Sequence, residues 1–150
     1  MTTVETFQII GISVRTTNEN GQAAKDIPAL WSRFFSEGIA SKIHGKLSED
    51  LYCVYTDYEK DHTRPYTTLL GYKVENTAEV PEGLTGKTIA THVYEVKTAK
   101  GKMAEGFVFK AWQEIWASDM PRAYTADFEI YGAKSQDPEH AEVAIYIATR

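Results

Sequence analysis

A single cysteine, Cys53, excludes any internal disulfide. A Cys or His pair at metal-ligand spacing is also missing, since His44, His62, His92 and His140 are scattered along the chain. No glycine-rich phosphate loop, nucleophile elbow or Cys/His signature is present, so the common nucleotide-binding and hydrolytic motifs give no lead. No cofactor or metal is called for. No apolar run approaches the ~20 residues of a membrane span, and Met1–Thr6 lacks the basic and apolar segments of a secretion signal. No membrane partner and a cytoplasmic location are the resulting expectations. Basic residues are outnumbered, with 16 Lys and Arg against 21 Asp and Glu, a net charge of −5. That balance argues against direct nucleic-acid binding and suits cationic small ligands.

Aromatic residues, in contrast, are plentiful: three Trp, nine Tyr and six Phe in 150 residues. The length fits one domain, 1–150, or two small half-domains sharing a core. Thr6–Thr16 reads as a strand and Asn18–Gln22 as a turn. From Asp26 onward, Ile27, Leu30, Trp31, Phe34, Phe35, Ile39 and Ile43 recur at helical spacing, with Gly38 weakening the helix and Gly45 ending it. Strands are expected at Leu51–Tyr58 and Tyr66–Val74, then a linker over Glu75–Lys87 and a strand over Thr88–Val96. Lys100–Gly101 turns the chain. A second helix carries Phe107, Val108, Ala111, Trp112, Ile115 and Trp116 on its apolar face. Strands at Ala123–Tyr131 and Glu142–Ile147 complete the chain.

The order is β-α-β-β twice, over residues of about 1–75 and 87–150. The fold class expected is α+β: two such modules related by a pseudo-twofold axis, one antiparallel sheet, both helices on one face and a ligand cleft on the other. Neither half is large enough to fold by itself.

The strand Ala123–Tyr131 carries the most chemistry. Tyr124, Ala126, Phe128 and Ile130 share one face, and Thr125, Asp127, Glu129 and Tyr131 the other. If the first face meets the helices, Glu129 lies on the open face beside Tyr131. A carboxylate flanked by aromatic rings suits an organic cation; the plain alternative is a solvated surface glutamate. Tyr146 is assigned to the same open face, with Tyr66, Thr68, Leu70 and Tyr72 from the third strand, Tyr52 or Tyr55 from the second, and Ala90, His92 and Tyr94 from the fourth. Trp112 and Trp116 read as core residues of an amphipathic helix.

The doubled layout, the helix segment Ala111–Trp116, the strand Tyr124–Tyr131 with its Asp127-Phe128-Glu129-x-Tyr131 motif, and the final Glu142–Ile147 resemble the GyrI-like effector-binding superfamily. That group includes ligand-binding domains of AraC-type and multidrug-sensing bacterial transcription activators, and stand-alone integron-cassette proteins that bind cationic drugs. The resemblance implies two SHS2-type modules with a cleft between them. It also implies a cleft glutamate at Glu129, with Tyr131, the aromatic wall of Tyr146, and Tyr94 and Trp116 beside it. Members that regulate transcription carry a helix-turn-helix, which these 150 residues do not contain. A drug sensor working with a separate DNA-binding protein, or a drug-sequestering protein, is therefore expected. The alternatives are a small-molecule hydrolase with Glu129 as general base, and an interaction module of the gyrase-inhibitor type using Asp57, Glu59 and Asp61.

Overall fold

The computed structural model describes all 150 residues. Eight strands form one antiparallel sheet: β1 (Thr2–Val4), β2 (Phe7–Thr16), β3 (Lys46–Thr56), β4 (Tyr66–Val74), β5 (Thr85–Ile89), β6 (His92–Gly101), β7 (Ala126–Tyr131) and β8 (Ala141–Ala148). Their order across the sheet is β1-β6-β8-β7-β3-β4-β2-β5. The centre is the β3–β7 pairing, where Cys53 lies opposite Glu129 and Tyr55 opposite Asp127.

Three helices pack on the sheet: α1 (Ala23–Ser36), α2 (Ile39–Lys42) and α3 (Phe107–Ala117). The long apolar stripe expected from Ile27 to Ile43 is split at Gly38, which takes a left-handed φ of 60° between α1 and α2. Helix α1 starts three residues before Asp26, so Pro28 sits inside it and not in its first turn.

Alternation along the strands makes two apolar faces. On one, Ile10, Ile12, Leu51, Cys53, Leu70 and Val74 meet Leu30 and Phe34 of α1. Further along the same face, Ala99, Val143, Ile145 and Ile147 meet Phe107, Trp112 and Ile115 of α3. The other face has no helix. Phe7 and Ile9 of β2, Ile89 of β5, Tyr94 of β6, and Phe128 of β7 form one buried cluster there. Residues from strands that are not neighbours touch because the sheet curls around this face; the rings of Phe7 on β2 and Phe128 on β7, three strands apart, lie 5.2 Å from each other. Paired Thr6–Thr91 hydrogen bonds of 3.0 Å tie the segments leading into β2 and β6.

The open, helix-free groove expected from the sequence is therefore filled by the curl. The strand Ala123–Tyr131 is also shorter than expected: Tyr124 has a φ of 54°, and pairing begins at Ala126. Two strands fell outside the expected set. Strand β1 is too short to show a period, and β5 starts inside the segment read as a linker. Strand β1 pairs with β6, and β5 with β2, so each expected half is completed by a strand from the other.

Candidate functional site

A cavity of about 470 Å³ opens between α1 and α3, with the sheet as its floor. Spacing on α1 sends Ala23, Ala24, Ile27, Pro28 and Trp31 toward it, while Leu30 and Phe34 are buried against the sheet. On α3, Val108, Trp112 and Trp116 recur every four residues and form the opposite wall, with Phe109 at the rim. Tyr55, Tyr66, Glu129 and Tyr131 rise from the strands beneath.

Glu129 is only 2% exposed. One carboxylate oxygen accepts from the Tyr55 hydroxyl at 2.8 Å and from the Trp112 indole N–H at 2.6 Å. The other accepts from the Tyr131 hydroxyl at 2.6 Å. No basic side chain is ion-paired with it. Burial pushes its pKa up, and the three donated hydrogen bonds pull against that shift. The same burial, with the carboxylate nearby, pushes the hydroxyls of Tyr55 and Tyr131 well above their usual value, so both remain donors.

A second polar group lies across Trp112. Arg122, 5% exposed, donates to Asp127 at 2.8 Å. Asp127 is fully buried and also accepts from the Tyr58 hydroxyl and the Ala148 backbone N–H. The guanidinium lies 4.4 Å from the Tyr124 ring centre and 5.7 Å from that of Trp112. His62 stacks on Trp116 with ring centres 5.7 Å apart and planes 5° from parallel. Burial first, and then the Arg122 charge, hold His62 below the ordinary histidine value, so near neutral pH it is an uncharged aromatic wall.

Of the residues singled out in the sequence, Glu129, Tyr131 and Trp116 meet at this cavity. Tyr146, Tyr94 and Tyr72 are not among its lining residues. Tyr146 pairs with Phe128, not Glu129, in the β7–β8 register, and its ring stacks on Phe128 at 4.7 Å on the curled face. Tyr94 is 1% exposed in that same cluster. Tyr72 shares the helical face but packs on Phe34, with Lys46 over its ring. Alternation by itself assigns the face of Phe128 to the helices, whereas it is the face of Glu129, and with it that of Leu70 and Tyr72, that they cover. The cleft consequently lies on the helical side of the sheet.

The sequence alone does not point to Arg122, Tyr58 or His62 as cavity residues and places Trp112 in the core, whereas Tyr66, expected on the cleft face of the third strand, does line the cavity. The four-residue spacing of Trp112 and Trp116 was the available signal for one aromatic wall. The acidic residues of the interaction reading are engaged locally. Asp57 pairs with Lys87, Glu59 with Arg64, and Asp61 accepts from Thr63 two residues on.

YobU of Bacillus subtilis (strain 168), named as a transcriptional regulator, is 27% identical over 154 residues, spanning 100% of this chain and 96% of its own. An integron cassette protein from the mobile metagenome of Vibrio cholerae has a similar structure. Its TM-score is 0.75 at 29% identity, with 99% of this chain and 94% of that one covered. SAV2435, solved bound to tetraphenylphosphonium, shares the fold with a TM-score of 0.78 at 19% identity, covering 99% and 92%. Residues 1–149 match the Cass2 family, and the chain belongs to these integron-associated effector binding proteins.

Proposed function

We propose that this effector-binding protein takes amphipathic, cationic aromatic compounds in the cavity between α1 and α3. The observation that carries the reading is the buried carboxylate of Glu129, held by three neutral donors with no cation of the protein beside it. A desolvated carboxylate without a counter-charge favours an incoming cation, and the rings of Trp31, Tyr55, Trp112 and Trp116 offer apolar area and π faces. SAV2435 accommodates a lipophilic cation on the same fold, which supports the reading by likeness. Glu129, Tyr131 and Trp116 are the proposed contacts, with Tyr55 and Trp112 added. The two β-α-β-β modules are read as a duplication, consistent with a strand order that runs outward from the β3–β7 pair in matching steps. The protein acts as a cytoplasmic drug sensor in transcription regulation; the regulator name of YobU supports that role.

Glu129→Gln tests the charge. The amide oxygen can accept from Tyr55 and Trp112, while its NH₂ donates to the Tyr131 oxygen, so the site keeps its shape. Thermal shifts are read with tetraphenylphosphonium and a neutral tetraphenyl analogue. The cation is expected to stabilise wild type and to lose about tenfold in affinity in the variant, roughly 1.4 kcal/mol. Equal affinity for both proteins would remove the charge-selection role.

A further inference from the structure

The Arg122 guanidinium has five N–H bonds, and its one hydrogen bond within the protein runs from Nη2 to Asp127. Both Nε and Nη1 are buried without any acceptor. Buried donors of a charged group are rarely left unmet, and when they are, an absent partner is the first explanation to test. Arg122 lines the same cavity as Glu129. The Trp112 indole spans the distance between them: its N–H reaches Glu129 while its ring faces the guanidinium. Asp127 is by comparison fully used, with Arg122 and Tyr58 on one oxygen and the Ala148 N–H on the other.

We infer that the cavity is bipolar: a ligand places its cationic end at Glu129 and, about one aromatic ring away, an uncharged hydrogen-bond acceptor, such as a carbonyl or ether oxygen, against Nε and Nη1 of Arg122. This deepens the proposed function and rests on it for the cationic end. An uncharged acceptor fits better than an anion. The Arg122 charge is already balanced by Asp127, and Glu129 nearby would repel a second negative group. The rings of Tyr124 and Trp112 lie over the guanidinium, so the acceptor enters at their edges as those rings give way. Acceptor-bearing ligands then gain a contact that a purely hydrocarbon cation lacks. The unmet donors give that contact an advantage over one made to an already satisfied group.

Four matched probes separate the two ends: N-methyl-4-phenylpyridinium, its 4-(4-acetylphenyl) analogue, biphenyl and 4-acetylbiphenyl. Binding is followed by quenching of the tryptophans, all three of which line the cavity. In wild type the acetyl group is expected to improve affinity about five- to tenfold in both the charged and the neutral pair. Arg122→Lys keeps a cation for Asp127 but removes the guanidinium donors. There the acetyl advantage, read as the affinity ratio within each pair and so independent of any change in the parent probes' own affinity, is expected to fall below about twofold. No acetyl advantage in wild type, or an equal advantage in Arg122→Lys, overturns the inference. An acetyl advantage without any preference for pyridinium over biphenyl would sink the cation reading and leave the Arg122 end standing; no binding by any probe overturns both. If Arg122→Lys does not fold, the Nε–H resonance of Arg122 in wild type decides. It is expected to move with the acetyl probes alone, and an unmoved resonance counts against the contact.

Discussion

At Glu129, geometry and protonation oppose each other. Three donors point at the carboxylate, yet burial still raises its pKa above the ordinary value. The native protein therefore holds this proton over a pH window in which the unfolded chain has released it. Its contribution to stability is full below the unfolded pKa and is lost as pH rises through the folded one. Glu129→Gln lacks this titration. Urea unfolding of both proteins from acid to neutral pH isolates it. Asp26, Asp61 and Asp137, whose pKa values are lowered, contribute equally to both and cancel in the difference. Relative to the variant, wild type is expected to lose stability as pH rises through that window and then to level off. A flat difference would mean that Glu129 ionises as freely as a surface carboxylate. Ligand binding follows the opposite sign: a cation needs the ionised form, so its affinity rises with pH across the same window. Glu129 and Tyr131 were legible as a pair because their alternation put them on one face. Their third and fourth partners, Trp112 and Tyr55, come from other elements, and a single strand pattern carries no trace of them.

Among the elements, the curl of the sheet sets where the cavity forms. Strands β2 and β4 meet glycine to glycine where Gly11 faces Gly71. A Cβ at Gly71 would collide with the Ile10 carbonyl, and one at Gly11 with that of Leu70. Both obstacles are backbone, which cannot turn aside as a side chain can. Gly71→Ala is expected to destabilise on the order of 3 kcal/mol, read as a lower urea midpoint with little change in slope. A cost below about 0.5 kcal/mol, typical of a surface substitution, would show that the strands can separate there. Most long elements were visible in the sequence because their apolar periods are strong: α1, α3, β2, β4 and β8 all stand near where the pattern put them. The period could not say which apolar face of β7 meets the helices, since Ala126, Phe128 and Ile130 suit a curled sheet as well as a helix. From that one ambiguity follow the misplacement of Tyr146 and the cleft assigned to the wrong side. Strand β5 was hidden for a different reason. Its sequence, Thr85-Gly86-Lys87-Thr88-Ile89, has few apolar residues, because an edge strand buries little.

Across the whole molecule, the helical face is built as two apolar clusters, one under α1 and one under α3. Tyr55 and Tyr131 pack against both, and both donate to Glu129. The site thus lies on the seam between the clusters, where a ligand touching Trp31 on one side and Trp112 or Trp116 on the other joins α1 to α3. The sheet beneath needs no such bridge. Strand β1 is exchanged onto β6 and β5 onto β2, and the curled face is closed by its own side chains. Ligand energy should therefore appear as slower opening of the helices and not of the sheet. Amide hydrogen exchange with and without tetraphenylphosphonium reads this directly. Added protection is expected in α1 from Ala24 to Trp31 and in α3 from Val108 to Trp116, with β2 and β4 unchanged. Protection confined to one helix would place the ligand against a single wall and deny the seam its bridging role. Uniform protection of sheet and helices together would mean that exchange proceeds by global unfolding, so that the two helices have no separate opening for a ligand to suppress.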